Sequence, residues 1–224
     1  MTTTTLAAAA AARAQNVRQR ADRPSQRRCA EQLGTRATVR ASLSGVQLRD
    51  VEQGGGLEFV GHASVYERGY EMWDMFGPYT EVVAAGAGTE SLARADLDVP
   101  LVLGHDQLRR LARTTTGTLV LAEDENGLSV HAPQLDPTDV DVAYIMPKLR
   151  AGLIDEMSFA FRIESGQWSP DYSEYRINRY DIHRGDVAIV GYGANPFTGA
   201  TARQPAATAP SSRARALLEL ALAR

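Results

Sequence analysis

Cysteine is almost absent from this chain of 224 residues, which contains only Cys29. A lone cysteine cannot form an internal disulfide, and it excludes any zinc site built from several cysteines. Lysine is equally scarce, because Lys148 is the one lysine among 24 basic residues and the others are arginines.

Long apolar runs are also missing. The longest one near a terminus, residues 6–12, is too short to cross a bilayer and has no basic segment before it. We therefore expect no membrane contact, no secretion and an intracellular location. No phosphate-binding loop of the GxxxxGK type occurs, which argues against nucleotide hydrolysis.

Charge is distributed unevenly along the chain. Residues 1–50 contain nine arginines and three acidic residues, a net charge of +6, whereas 15 basic and 24 acidic residues give the remainder −9. A basic arm on an acidic body could bind nucleic acid or an acidic partner, although the acidic body argues against nucleic acid. A solvated tail is the simpler interpretation of the arm.

Composition divides the chain into three parts. Residues 1–35 are rich in Thr, Ala, Arg and Gln and poor in large apolar side chains, and we expect a mobile basic tail there. Residues 36–199 have the size of one domain and would form the folded unit. Residues 200–224 are predicted to be a linker followed by a short C-terminal helix.

Strand-like segments dominate the central part. They lie at residues 38–43, 48–51, 57–66, 99–103, 116–122, 128–132, 159–163, 175–177 and 187–190. Asn126-Gly127 between two of them is a hairpin signal. A short helix is predicted at 89–95. A second helix is predicted from Pro137, with Asp136 as its N-cap, to a stop at Gly152, and Pro147 would kink it or break it in two. This mainly β pattern with some α (α+β) favours a closed or nearly closed β-barrel surrounded by helices.

Three polar residues beside apolar runs are candidates for chemistry. His105 follows the run 99–103 and Gly104, a place from which an imidazole could act as a general base near neutral pH. Ser158 lies among large apolar side chains, so it is either a hydrogen-bonded structural residue or a nucleophile in a dry pocket. Asp186 precedes the run 187–190 and could orient an imidazole. Position alone favours a structural role for each of them.

The histidines do not suggest a metal site. His62, His105, His131 and His183 are separated by 43, 26 and 52 residues, so no close pair occurs. We expect neither a metal nor a cofactor.

Four segments together resemble the tailed-phage prohead protease family of capsid maturation proteases. They occur in family order within residues 57–200 and read GHASVYERGYEMWDMFGPYTEVV, LARTTTGTLVLAEDENGLSVHAPQLDPT, RAGLIDEMSFAFRI and DVAIVGYGANP. The family is regarded as related in fold to the herpesvirus assembly protease, a β-barrel ringed by helices. The resemblance implies that the barrel expected above is of this herpesvirus-assemblin-like kind.

The resemblance also assigns roles to the three candidates. Ser158 matches the nucleophile, His105 the general base, and Asp186 the third position, where the family usually has glutamate. His183 is the alternative third member, because the similar herpesvirus enzymes use a second histidine. Two further departures are Gly104, where the family often has asparagine, and Ala188, where it usually has serine.

By resemblance, the chain is a serine endopeptidase that cleaves scaffold, or the scaffolding arm of the major capsid protein, during procapsid assembly, and also cleaves itself. Those two proteins would be its partners, a second copy of the chain is a further candidate, and the location would be the assembling procapsid in the host cytoplasm. No metal or cofactor is implied. Residues 1–50 could load the enzyme into the procapsid by binding scaffold and then be removed.

Two other functions stay open. The departures from the family pattern are compatible with a catalytically inactive scaffolding or capsid-interaction protein that keeps the fold. The basic arm is compatible with a nucleic-acid-binding accessory protein.

Overall fold

The structure, a computed structural model, describes residues 4–29, 47–50 and 57–193. Strands dominate these ranges, so the mainly β (α+β) class is confirmed. In chain order the elements are α1 (Leu6–Asn16), β1 (Arg28–Cys29), β2 (Gln47–Asp50), β3 (Leu57–Val65), β4 (Tyr70–Asp74), β5 (Gly77–Val83), α2 (Thr89–Leu92), β6 (Pro100–Leu103), β7 (Asp106–Arg113), a 3-10 turn (Thr114–Thr116), β8 (Val120–Glu123), β9 (Gly127–Leu135), α3 (Val140–Arg150), β10 (Glu156–Trp168) and β11 (Glu174–Val190). Within the described ranges, none of the helices has the length and apolar character needed to span a membrane.

The strands form two sheets. The larger sheet has the order β1–β4–β5–β11–β6–β7, with β10 paired to β11 outside this path, and the smaller has the order β2–β3–β9–β8. All pairs are antiparallel except those of β11 with β5 and with β6. No ladder joins the two sheets in the part of the chain that the structure describes, so the predicted closed barrel is not confirmed.

The hairpin of β10 and β11 organises the larger sheet. Its register runs from Glu156 opposite Val190 to Trp168 opposite Tyr175, with three register shifts. The first half of β11 pairs with β5, and its second half pairs with β6. Bulges bend a strand and increase its twist, so the continuous strand β11 can pair with β5 along one half and with β6 along the other. The sequence predicted separate short strands here.

Helix α3 begins later than predicted and continues through its proline. Asp139 is the N-cap, and its carboxylate accepts hydrogen bonds from the backbone N–H groups of the second and third residues of the helix. Pro147 lies inside the helix, which ends at Arg150. The helix packs one face on the main core through buried residues spaced for an amphipathic helix, namely Val142, Ile145, Met146 and Leu149.

Residues 4–29 differ from the mobile tail that composition predicted. Helix α1 begins after Thr5, whose side chain caps it, and β1 adds a strand to β4. Between them the chain runs along Trp168, whose backbone N–H donates to the Arg20 carbonyl at 2.7 Å and whose indole N–H donates to the Asp22 carbonyl at 2.9 Å. This part of the arm is therefore packed on the domain.

Arg13 of α1 anchors the segment. Its side chain is fully buried, and Nε and Nη2 donate to the two carboxylate oxygens of Asp74 at 2.8 and 3.0 Å. Its guanidinium also lies over the rings of Tyr79 and Trp168, about 5 Å from each centroid. An arginine that composition assigns to a solvated arm is thus a buried member of an ion pair.

Arg27 makes a second such contact. Its Nε and Nη2 each donate to a carboxylate oxygen of Glu81 at 2.6 Å, and Glu81 is fully buried. The hydroxyls of Tyr70 and Tyr79 donate to the same carboxylate. Burial, together with the charge of Glu81, raises the pKa of Tyr70 well above its usual value, so this phenol stays a donor.

Several predicted features lie outside the described residues. They are the strand at 38–43, the domain boundaries near residues 35 and 199, and the linker with the C-terminal helix at 200–224. These features stay predictions.

We expect Arg13→Ala to lower the free energy of unfolding by about 3–5 kcal/mol, because removing one partner leaves the other a buried charge without compensation. Arg18→Ala removes the same charge from an exposed position nearby, and should change stability by less than about 0.5 kcal/mol. Urea unfolding followed by tryptophan fluorescence measures both effects. Equal changes in the free energy of unfolding would mean that the ion pair of Arg13 with Asp74 does not stabilise the domain.

Candidate active site

His105 occupies the tip of the hairpin between β6 and β7. Leu103 and Asp106 are paired across it, so Gly104 and His105 form a two-residue turn. Both have φ of 60°, the left-handed conformation that a type I′ turn requires at its two central residues. Glycine accepts this conformation freely, whereas a residue with a side chain is strained by about 1–2 kcal/mol. The turn places a half-exposed imidazole at the end of a buried strand.

The ring of His105 contacts Asp186 of β11. Its Nδ1 lies 2.6 Å from Oδ1 of Asp186, whose side chain is 4% exposed. An ionised carboxylate only accepts hydrogen bonds, so Nδ1 carries the proton and Nε2 is left as the basic nitrogen. Asp106, the carboxylate next to His105 in sequence, instead accepts from the backbone N–H of Leu108.

Gln107 completes the surroundings of this carboxylate. Its Nε2 donates to Oδ2 of Asp186 at 2.6 Å, so both oxygens of the buried group have a donor. Gln107 was not among the candidates predicted from the sequence, because a lone amide belongs to no catalytic motif. No sequence signal could have found it, because its partner Asp186 lies 79 residues away and His105 belongs to a turn, where the alternation of strand side chains does not apply.

A close approach of two strands presents Asp186. A Cβ at Gly185 would lie 1.8 Å from the carbonyl oxygen of Ala160, so the backbones can come together here only because residue 185 is glycine. The register of the pair shifts between Ala160 and Arg162. Bulges of this kind commonly re-aim a side chain next to an active site.

Ser158 lies on the same face of the sheet as Asp186. It is paired with Ala188 across β10 and β11, and Ala188 is paired with Val102 of β6. Paired residues share a face, as do alternate residues along one strand, so Asp186 projects with them. In agreement, Val102, Ala188 and Val190 form a small buried cluster separate from the main core.

The strand order brings Ser158 and His105 to one region. Strands β10, β11 and β6 are consecutive neighbours, and His105 comes two residues after Leu103, which pairs with Ile189 next to Ala188. Ser158 is partly exposed. In the described ranges, no hydrogen bond joins its hydroxyl to His105. Such bonds are often long without substrate and tighten in the reacting complex.

His183, the alternative third member, has other partners. Its Nδ1 accepts a hydrogen bond from the backbone N–H of Asp98 at 3.3 Å, and its own backbone N–H donates to Asp181. The structure therefore places Asp186, and not His183, against the ring of His105.

The two other histidines each face a single carboxylate, His62 that of Asp124 and His131 that of Glu58. Among the residues that the structure describes, no group of three or more His, Cys, Asp or Glu side chains is arranged to hold a metal ion.

Nucleophilic acyl transfer uses three groups. The first is a hydroxyl, the second is an imidazole whose Nε2 is available, and the third is a carboxylate that accepts from the imidazole Nδ1–H. The structure brings the second and third into contact and places the first on the same face, one strand beyond β11.

Comparison with known proteins identifies the family. The family model described as caudovirus prohead serine protease matches residues 44–210, which is most of the chain. The chain belongs to this family, and the resemblance seen in the four sequence segments is confirmed. No curated protein and no solved structure matches it.

We expect ¹⁵N NMR to show that the neutral ring of His105 carries its proton on Nδ1, because the Asp186 carboxylate accepts a hydrogen bond from that N–H. Asp186→Ala should abolish this tautomer preference, whereas His183→Ala should leave the His105 signals in place. Two-bond ¹H–¹⁵N correlation spectra of the three proteins make the comparison. The reverse pattern would make His183 the orienting residue.

Proposed function

We propose that this member of the prohead serine protease family is an active endopeptidase with Ser158 as nucleophile, His105 as general base and Asp186 as the residue that orients the base. The observation that carries the proposal is the 2.6 Å contact of His105 Nδ1 with Asp186, on a sheet face that Ser158 shares. Family membership supports a serine peptidase independently of this contact.

The mechanism follows from these positions. Ser158 Oγ attacks the scissile carbonyl carbon while Nε2 of His105 takes the hydroxyl proton, and the resulting imidazolium then protonates the leaving amine. Water then attacks the acyl carbon while Nε2 of His105 takes its proton. The imidazolium returns that proton to Ser158 Oγ as the ester bond breaks, which releases the acid product. Asp186 keeps the ring in the productive tautomer and stabilises the imidazolium, while Gln107 fixes the second oxygen of the carboxylate.

The substrates that we propose are scaffold or the scaffolding arm of the major capsid protein, and the chain itself. Both proteins would also be assembly partners within the procapsid in the host cytoplasm, and a second copy of the chain is a further candidate partner. Support comes from the family, whose description refers to the phage prohead.

Self-cleavage that removes residues 1–50 would have a structural cost. It would take Arg13 from Asp74 and Arg27 from Glu81, leaving two buried carboxylates without their cations. A role of this arm in loading the enzyme into the procapsid is compatible with the structure, but we propose that its packed part is retained in the active enzyme.

We expect Ser158→Ala to reduce cleavage of co-expressed capsid protein at least about a thousandfold, because nucleophilic catalysis is lost with the hydroxyl. Ser165→Ala, on an exposed position of the same strand, should cleave at the wild-type rate. Mass spectrometry of the products measures both. A serine-directed fluorophosphonate should label residue 158 in the wild type and in Ser165→Ala.

Cleavage by Ser158→Ala at the wild-type rate would refute the assignment of Ser158 as the nucleophile. A well-folded wild type that neither reacts with the fluorophosphonate nor cleaves would favour the alternative of an inactive scaffolding or capsid-interaction protein.

We expect His105→Ala to lose about as much activity as Ser158→Ala, and the double variant to lose no more, because the two groups act as a unit. Asp186→Asn keeps the shape but removes the charge, and should lose less than either. His183→Ala should lose least of all, since His183 does not contact His105. A larger loss in His183→Ala than in Asp186→Asn would contradict our choice of orienting residue.

A further inference from the structure

A groove rich in arginine adjoins the imidazole and carboxylate pair. It has a volume of about 300 Å³. Its lining includes Asp98, Gln107, Arg110, Arg113, Arg184 and Gly185. It therefore contains three guanidinium groups and one carboxylate, and the mechanism above uses none of the three arginines.

The groove lies beside the reacting groups. Gln107 belongs to both, because it lines the groove and donates to Asp186. Pro100, which also lines it, precedes Val102 by two residues in β6 and so shares the face of the sheet on which Ser158 lies.

The separation suits a peptide substrate. Pro100 in the groove lining is two strand spacings across the sheet from Ser158, about 9.6 Å, and two residues along β6 from Val102, about 7 Å, so the separation is about 12 Å. An extended peptide advances about 3.3 Å per residue. A side chain about four residues from the scissile bond can therefore enter the groove.

One of the three arginines is neutralised within the protein. Nε and Nη2 of Arg113 donate to the two oxygens of Asp98 at 2.7 Å each. This bidentate contact holds the pKa of the Asp98 carboxyl below its usual value, so the pair stays charged on both sides and contributes no net charge to the groove.

The other two arginines make no ion pair among the described residues. Arg110 donates from Nε to the backbone carbonyl of Gln107 at 2.7 Å, which orients its guanidinium without neutralising it. The exposed side chain of Arg184 makes no hydrogen bond within the described ranges, but its backbone is held, with φ of 60° and an N–H that donates to the Asp98 carbonyl at 2.9 Å. Two guanidinium groups without an ion-pair partner among the described residues thus belong to residues that line one groove.

We propose that this groove is a substrate subsite that binds a glutamate or aspartate side chain of the peptide being cleaved, with Arg110 and Arg184 as its ligands. The inference rests on the proposed function and adds a specificity to it. A guanidinium pairs with a carboxylate through two parallel hydrogen bonds, which a neutral amide of the same size cannot match.

The test begins with a profile of cleavage sites. The full chain is incubated with a library of proteome-derived peptides, and mass spectrometry identifies the new termini. We expect Glu and Asp to be enriched at one fixed position about four residues from the scissile bond. Of two fluorogenic peptides that differ only as Glu against Gln at that position, the acidic one should have a kcat/KM at least about tenfold higher.

Variants then assign the preference to the groove. The double variant Arg110→Ala/Arg184→Ala should cleave the Gln peptide like the wild type but lose its preference for Glu, mainly through KM. The double variant Arg110→Glu/Arg184→Glu should prefer Lys or Arg at the same position. Arg18→Ala, which removes a charge far along the chain from the groove, is the control and should keep the preference for Glu.

The outcomes separate the two proposals. The subsite proposal is wrong if the wild type cleaves without an acidic preference, or if the double alanine variant retains that preference. Neither result contradicts the proposed peptidase activity. Failure of the wild type both to cleave and to react with a fluorophosphonate at Ser158 overturns the proposed function, and the subsite with it.

Discussion

Burying a carboxylate costs several kcal/mol unless donors or cations meet it, and much of this domain is arranged around that constraint. The larger sheet contains three carboxylates that are almost fully buried. Asp74 accepts hydrogen bonds from Arg13, and Glu81 accepts them from Arg27. Asp186 is hydrogen-bonded to His105 and Gln107. The first two draw their cations from the N-terminal segment, which is why that segment belongs to the domain.

The third carboxylate is compensated differently. Guanidinium groups are charged at every relevant pH, so Asp74 and Glu81 are neutralised permanently. Asp186 has only an imidazole and a neutral amide as donors, and it gains a full cation when the imidazole takes a proton. Its interaction with His105 is therefore stronger in the state that follows proton transfer than in the resting state. That difference is what the orienting role proposed for Asp186 requires.

Sequence patterns predicted the elements whose apolar residues alternate or cluster. Strands β3, β6 and β9 and the hairpin at Asn126-Gly127 lie close to their predicted places. Strand β7 was missed because it is an edge strand, largely exposed and rich in arginine, so it has no apolar signal. The packed arm was missed because composition cannot distinguish a solvated arginine from Arg13, whose burial depends on Asp74, 61 residues away. For the same reason the sequence gives no sign of Gln107 or of the close approach at Gly185.

The departures from the family pattern at Gly104 and Asp186 preserve the geometry around His105. Asparagine and glycine are both residues that accept the left-handed conformation, so Gly104 in place of asparagine keeps the type I′ turn that presents His105. Aspartate is one methylene shorter than glutamate, yet Oδ1 of Asp186 lies 2.6 Å from Nδ1 of His105. The tip of the hairpin between β6 and β7 therefore brings His105 within reach of the shorter side chain. Neither of these two departures therefore argues for an inactive relative, and both are compatible with His105 as a general base.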